Sequence, residues 1–143
     1  MKDHESIRIS VSETYSKAVK SSKGCCGWAV PKGVAAKTAG YDPASLAGLP
    51  EGTIENSFGC GNPLAFSDVK PGDVVLDLGS GAGLDLLIAS EKVGSKGHVI
   101  GIDMTDEMLS KAAENIRAAG AVNIELRKGL IEQLPVEDSS VDW

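Results

Sequence analysis

The segment "DVVLDLGSGAGLDLLIAS", residues 73–90, constrains the fold more than any other part of the chain. An apolar run stops at an acidic position, glycines come next at alternate positions, and apolar residues then resume. A continuous apolar run is typical of a strand that is covered on both faces of a sheet. The glycines allow a tight turn and a close approach of a ligand to the backbone, because no Cβ stands in the way. The segment therefore predicts a strand, a glycine-rich turn and a helix.

The next segments repeat this alternation. "GHVIGID" predicts a second strand, and "NIELRKG" predicts a third strand with alternating apolar residues. Between them, "TDEMLSKAAENIRAAG" predicts a helix with Thr105 as its N-cap and Gly120 at its end. The order βαβαβ is the first half of a doubly wound α/β fold, so we expect an α/β chain.

The first half of the chain does not show this alternation of strands and helices. Residues 5–21 place Ile9, Val11 and Tyr15 at loosely helical spacing and predict one helix. Prolines and glycines punctuate the chain from there to the first strand, so we expect an irregular lead-in with short helical turns near residues 43–47 and 63–67. The predicted organisation is an N-terminal helical and loop cap over residues 1–70, and then the truncated first half of the ligand-binding domain over residues 71–143.

Composition restricts the partners and the compartment. The chain has 143 residues, a net charge of -6 and only 4% aromatic residues. An acidic chain is repelled by phosphate backbones and anionic membranes, and few aromatics are available to stack on bases, so we expect neither nucleic acid nor a membrane as partner. No apolar run approaches the roughly 20 residues of a membrane span. The N-terminus has no apolar signal core and the cysteine count is odd, which favours a cytoplasmic protein with free thiols.

A nucleoside site is expected at the carboxyl ends of the strands. The turn holds Gly79, Ser80, Gly81 and Gly83, whose amides, together with the dipole of the next helix, favour a carboxylate or phosphate. Asp103 ends the second strand, where an acid accepts both hydroxyls of a ribose. A plain tight turn between a strand and a helix would explain the glycines but not the acid.

The spacing of this turn selects the class of ligand. It is G-x-G-x-G and not the dinucleotide spacing G-x-G-x-x-G, and Asp77 stands two residues ahead, where an acid suits a ligand with an amino group. "DLGSGAG" therefore resembles the first motif of the Rossmann-like S-adenosylmethionine methyltransferases. The resemblance implies that the loop holds the methionine end of the cofactor and Asp103 holds its ribose.

The segment "RKGLIEQLPVEDSSVDW" resembles the part of those methyltransferases that encloses the adenine. Many members have an acid directly after the glycine, whereas this chain has Leu130. We expect Ile131 to contact the adenine ring and the backbone around Glu132 to supply the polar contacts. The alternative is that "IEQLP" is only a capped turn.

The three cysteines are Cys25 and Cys26, which are adjacent, and Cys60, which lies in "FGCGNP". Thiolates select soft, thiophilic centres, and zinc fits poorly because no CxxC pair is present and His4 and His98 lie elsewhere. The alternative is that the cysteines are small buried hydrophobic residues.

The blocks "CCG", "SFGCGNP", "DLGSGAGLD", "GIDMT" and "IEQLP" together resemble the arsenite methyltransferases, in that family's order and spacing. The resemblance implies methyl transfer from S-adenosylmethionine to trivalent arsenic, a small inorganic substrate. It implies arsenic binding by Cys60 with Cys25 or Cys26, Phe58 over the methionine end of the cofactor, and Met104 beside the adenine. It also implies a thiol reductant as co-substrate, either glutathione or thioredoxin.

The sequence departs from this family at its end. The family continues beyond "SSVDW" with further strands and further arsenic-binding cysteines, so we expect an N-terminal portion of uncertain activity. Strand four of the family pairs with strand one, which is then expected to be an open edge and a possible homodimer interface. Two alternatives stay open: a methyltransferase for a small organic acceptor such as a quinone or sterol precursor, and an inactive fragment that binds cofactor or dimerises.

Overall fold

The computed structural model describes residues 3–21, 34–58, 61–65 and 67–143. Cys25, Cys26 and Cys60, the predicted arsenic ligands, lie outside the described residues. Within the described ranges, no helix combines the length and the apolar character needed to cross a lipid bilayer.

Three parallel strands form the sheet: β1 (Val74–Leu78), β2 (His98–Asp103) and β3 (Ile124–Lys128). They are ordered β1-β2-β3, with Val75 opposite Val99 and Val99 opposite Ile124. Parallel neighbours need crossover connections, which the long helices supply: α5 (Leu84–Val93) between β1 and β2, and α6 (Asp106–Ala119) between β2 and β3. The predicted α/β fold with a first βαβαβ half is confirmed.

The core lies between the sheet and α5. Leu86 and Val93 of this helix and Val99 of β2 are each 0% exposed. Gly101 of β2 lets α5 approach closely, since a Cβ at this position would stand 2.6 Å from Leu86 Cδ1. Right-handed crossovers that run in one direction along a sheet place both helices on one face, so α5 and α6 are expected to lie on the same face of this sheet.

The predicted limits of α6 are close to the observed ones, and the predicted capping positions, Thr105 at the start and Gly120 at the end, are confirmed. Thr105 occupies the N-cap position and makes no side-chain cap hydrogen bond. Its side chain is buried, and its backbone N–H donates to Asp103 Oδ1 over 2.8 Å. Thr105 therefore helps to orient the acid at the end of β2.

The N-terminal half is more regular than the sequence suggests. Helix α1 (His4–Lys20) and α3 (Pro43–Ala47) form where expected, and Pro63–Ala65 forms a 3₁₀ turn. Two further helices, α2 (Val34–Thr38) and α4 (Glu51–Glu55), were missed because five residues are too short for a periodic pattern. Ala36 of α2, Tyr41 and Leu64 belong to the main hydrophobic core, so this half of the chain packs against the sheet and helices of the other half.

The outer edge of β1 is not fully open, contrary to the expectation. Trp143 N–H donates to the Val74 carbonyl over 3.3 Å, and Leu76 N–H donates to the Trp143 carbonyl over 2.8 Å. This is the bonding pattern of a parallel pair between Val75 and Trp143. Asp142 adds a backbone bond and a side-chain bond to Val74, each of 2.8 Å. Residues 142–143 thus run beside β1 where the family's fourth strand is expected.

Candidate functional site

A cavity of about 400 Å³ opens at the carboxyl ends of the three strands. It is enclosed by α1, Phe58, the turns after β1 and β2, and the segment after β3. Parallel strands end at one edge of their sheet, which is where ligands of open α/β folds bind. The lining residues are Ile7, Arg8, Val11, Tyr15, Phe58, Leu78, Gly79, Asp103, Met104, Thr105, Met108, Gly129, Leu130, Ile131 and Glu132.

The carboxylate of Asp103 is fixed by two backbone amides. Gly81 N–H donates to its Oδ2 over 3.0 Å, and Thr105 N–H donates to its Oδ1 over 2.8 Å. Each carboxylate oxygen has lone pairs for more than one donor, so both oxygens remain acceptors toward the cavity. The side chain is held in one orientation before any ligand arrives.

The glycine-rich turn is arranged differently from the expected anion cradle. Gly79, Gly81 and Gly83 all have positive φ angles, which explains why glycine stands at each of them. The amides of Gly79 and Ser80 donate to the Ile102 carbonyl, Gly81 donates to Asp103, and Gly83 donates to the Ser80 carbonyl. These four amides are bonded within the protein in the absence of ligand, and the expectation that the turn binds a ligand carboxylate or phosphate stays a prediction.

Asp77 lies near the end of β1, behind this turn. Burial is the main reason why the pKa of its carboxyl is raised to about 7, and the charges of Asp85 and Asp103 act in the same direction. None of the ion pairs found among the described residues includes Asp77. A positively charged ligand group would offset this concentration of negative charge.

Helix α6 supports the turn from below. Asn115 is 3% exposed, and its Nδ2 donates to the Ala82 carbonyl over 2.9 Å. Without this bond, a buried backbone oxygen of the turn would lose its hydrogen-bond donor. Asn115 was not among the residues predicted from the sequence, although an asparagine on the buried side of an amphipathic helix is an available signal.

Helix α1 forms the roof of the cavity, a role that was not predicted from the sequence. Arg8 makes an ion pair of 2.9 Å with Glu132, across the cavity from the helix. Near its other end, Lys20 and Ser16 each bond Glu107 of α6 over 2.7 Å. Tyr15 contacts Phe58 with ring centroids 6.3 Å apart. Charged and aromatic contacts therefore hold the helix over the site.

The segment after β3 is both a turn and part of the cavity wall. Gln133 N–H donates to the Leu130 carbonyl over 3.1 Å, which closes the turn. Leu130 and Ile131 line the cavity together with Met104 and Met108. The two alternatives considered for this segment are thus compatible.

A family model described as a methyltransferase domain matches residues 69–143, which is just over half of the sequence. The chain belongs to the methyltransferase-domain family.

Two curated relatives differ in how much of this chain they match. An arsenite methyltransferase from Halobacterium salinarum is 42% identical over 99% of the chain, which spans 39% of that relative's length. A demethylmenaquinone methyltransferase from Bacillus cereus is 36% identical over 56% of the chain and 34% of its own length. The chain therefore spans less than half of either relative.

A solved structure supports the fold of the methyltransferase domain. An arsenic(III) S-adenosylmethionine methyltransferase from Chlamydomonas reinhardtii superposes with a TM-score of 0.61 and 37% identity. The superposition covers 69% of this chain and 36% of the other.

The structure brings together part of the predicted site of the methyltransferase domain. Seven of the predicted residues line the cavity: Phe58, Gly79, Asp103, Met104, Leu130, Ile131 and Glu132. Four others form its support and do not line it: Asp77, Ser80, Gly81 and Gly83. Cys25, Cys26 and Cys60 fall in segments for which the structure gives no placement.

Proposed function

We propose that this chain is the cofactor-binding part of an S-adenosylmethionine-dependent enzyme that methylates trivalent arsenic. The observation that carries this proposal is the extent of the two matches. The similarity to the arsenite methyltransferase runs over 99% of the chain and thus includes the cysteine blocks. The similarity to the demethylmenaquinone methyltransferase covers 56%.

The cavity fits the cofactor. Asp103 would accept the ribose hydroxyls, since it lines the cavity and its oxygens retain free lone pairs. Met104, Leu130 and Ile131 would enclose the adenine with apolar surface. Glu132 is paired with Arg8, so the polar contacts to the adenine would come from the backbone beside it. Phe58 would lie over the methionine end.

The electrostatics fit the same cofactor. S-adenosylmethionine supplies an electrophilic methyl group on a positively charged sulfonium, and it also carries an ammonium group. Asp77, with a pKa raised to about 7, would ionise fully when such a cation binds beside it. Binding near neutral pH would therefore release a fraction of a proton per protein molecule.

The acceptor would be held by thiolates. Cys60, together with Cys25 or Cys26, would bind arsenite as a soft ligand set, with glutathione or thioredoxin as the reductant. Trivalent arsenic keeps a lone pair, so no general base is required. The contribution of the protein would be proximity and orientation between the arsenic and the methyl group. In this proposal residues 1–70 carry the acceptor thiols, and residues 71–143 form the cofactor site together with Phe58 and α1.

A small organic acceptor is the second candidate. The observation that favours it is the match of just over half of the chain to a demethylmenaquinone methyltransferase. This candidate gives the cysteines no role. A homodimer through the uncovered part of the β1 edge, near the half-exposed Leu78, stays a prediction for solution scattering.

The test is a calorimetric titration of the reduced, intact protein with arsenite and, separately, with S-adenosylmethionine. We expect Cys60→Ser to abolish arsenite binding and to leave cofactor affinity within about twofold. We expect Asp103→Asn to abolish cofactor binding and to leave arsenite affinity within about twofold, because Asp103 lines the cofactor cavity. Cofactor binding by a wild-type protein that gives no heat with arsenite would contradict the arsenic proposal and favour the organic acceptor.

A further inference from the structure

Tyr41 and Asp85 form a partly buried polar contact that the proposed chemistry does not use. Tyr41 precedes α3 and is 7% exposed, and Asp85 lies in the first turn of α5, directly after the glycine-rich turn. The Tyr41 hydroxyl oxygen lies 2.8 Å from Asp85 Oδ1 and 2.8 Å from the Gly61 carbonyl oxygen. One side chain therefore joins the residue after Cys60 to the helix that comes after the cofactor turn.

The single hydrogen of the Tyr41 hydroxyl determines which group donates and which accepts in each of these two contacts. A phenol has a single hydrogen, and both of its neighbours are acceptors if Asp85 is ionised. In that case one of the two contacts of 2.8 Å would bring oxygens together with no hydrogen between them. If Asp85 carries a proton, its O–H donates to Tyr41, and Tyr41 donates to Gly61. Every acceptor in the chain of bonds then has a donor.

Burial of Asp85 acts in the direction of the protonated form. Burial raises the pKa of its carboxyl, although the hydrogen bond from Tyr41 acts in the opposite direction. The other charged group that interacts with this pair is Asp77 of β1, which raises the pKa of Tyr41 and is itself affected by Asp103 of β2. The negative charge of Asp77 thus opposes ionisation of Tyr41.

We propose that Tyr41 and Asp85 are positioning residues, in which a protonated Asp85 donates to Tyr41 and Tyr41 donates to the Gly61 carbonyl. This chain of bonds anchors the segment beside Cys60 to the first turn of α5. The inference rests on the proposed function, because it gives Tyr41 the role of placing the acceptor thiol relative to the cofactor turn. Neither residue lines the cavity at the carboxyl ends of the strands.

The experiment measures the alkylation rate of Cys60 by iodoacetamide in the intact protein. Cys25→Ser and Cys26→Ser are present throughout, so that Cys60 is the one thiol left of the three. We expect Tyr41→Phe to raise the rate about tenfold, since a buried hydrogen bond that anchors the segment is lost. Asp85→Asn keeps a donor toward Tyr41, so its rate is expected to stay within about twofold of the wild type. Asp85→Ala is expected to behave like Tyr41→Phe.

The matched control is Ser90→Ala, at the other end of the same helix. It removes one hydrogen bond, from Ser90 to the Asn123 side chain, away from the cavity. We expect it to lower stability without changing the alkylation rate. Equal acceleration in Ser90→Ala and Tyr41→Phe would mean that general destabilisation is the cause, and this result would overturn the proposal.

Two further results would also overturn it. A wild-type rate in Tyr41→Phe would mean that the anchor does not act on Cys60. A rate in Asp85→Asn as high as in Tyr41→Phe would mean that an ionised Asp85 is the acceptor. The assay uses neither arsenite nor cofactor, so a protein that shows the expected rates and fails to bind arsenite would contradict the proposed function alone.

Discussion

At the scale of single residues, Asp77 shows a conflict between stability and the proposed binding. Its side chain is half-buried, and Asp85 and Asp103 add to the rise of its pKa when they are ionised. An isolated carboxylate in such a place costs free energy when it ionises. Proteins retain groups of this kind at functional sites, where the ligand supplies the missing opposite charge.

The pH dependence of stability tests this view of Asp77. The pKa is raised from 3.8 to about 7, so the contribution to stability is present below the lower value and is lost as pH rises through the higher one. We expect Asp77→Asn to be more stable than the wild type at alkaline pH by about 1–3 kcal/mol and to bind S-adenosylmethionine more weakly. Urea denaturation at about pH 5 and about pH 8 measures the difference, one value on each side of the raised pKa. Part of the dependence of stability on pH is expected to remain in Asp77→Asn, because the pKa of Asp85 is also raised. Identical slopes in variant and wild type would contradict the assignment to Asp77.

Gly101 is required by close packing. A Cβ at this position would lie 2.6 and 2.9 Å from the two methyl carbons of Leu86 and 3.0 Å from Ser80 Oγ. We expect Gly101→Ala to lower the free energy of unfolding by about 1–3 kcal/mol, because the helix under the cofactor turn must move. Gly48→Ala is the control, since its φ is negative and nothing lies within 4 Å of the added Cβ. Equal stability of the two variants in urea would rule out this explanation.

At the scale of elements, α1 depends on contacts at both of its ends. Its apolar side chains Ile7, Val11 and Tyr15 are each more than a third exposed, so burial alone holds it weakly. The bonds to Glu132 and Glu107 fix the position of the helix along the cavity. An element of this kind opens more readily than the core.

Two acids of α6 allow a matched test of α1 docking. Lys20 and Ser16 hold the pKa of Glu107 at about 2, whereas Lys111 on the same helix lowers the pKa of Glu114. We expect Glu107→Ala to speed amide exchange in α1 about two- to fivefold at neutral pH, and Glu114→Ala to leave it unchanged. In the wild type this docking is expected to weaken as pH falls from 4.5 to about 2, when Glu107 takes up its proton. Faster exchange in both variants would point to a change in α6 itself.

At the scale of the whole molecule, the cavity exists because separated segments of the chain meet. Phe58 comes from the N-terminal half, and its ring contacts Tyr15 of α1. The other walls come from the carboxyl ends of the strands. Ligand binding is therefore coupled to the packing of the two halves of the chain.

Ligand-induced stabilisation measures this coupling. We expect S-adenosylhomocysteine to raise the melting temperature of the intact protein, because a ligand that binds the folded state stabilises it. Phe58→Ala is expected to weaken ligand binding about tenfold and to reduce this rise, since an aromatic wall is lost. Val122→Ala is the control, because Val122 is 94% exposed. An unchanged rise in Phe58→Ala would exclude Phe58 from the site.

The sequence alone determined the order of strands and long helices, because apolar periodicity and glycine positions are local signals. It also identified Asp103 and the residues after β3, which lie at the ends of strands. Tertiary structure decided what depends on distant contacts. The roof provided by α1, the support from Asn115, the joint contact of Tyr41 with Asp85 and Gly61, and the pairing of Trp143 with β1 each join residues far apart in the chain. No local pattern encodes such contacts, because the free energy that selects them comes from packing and burial in the complete fold.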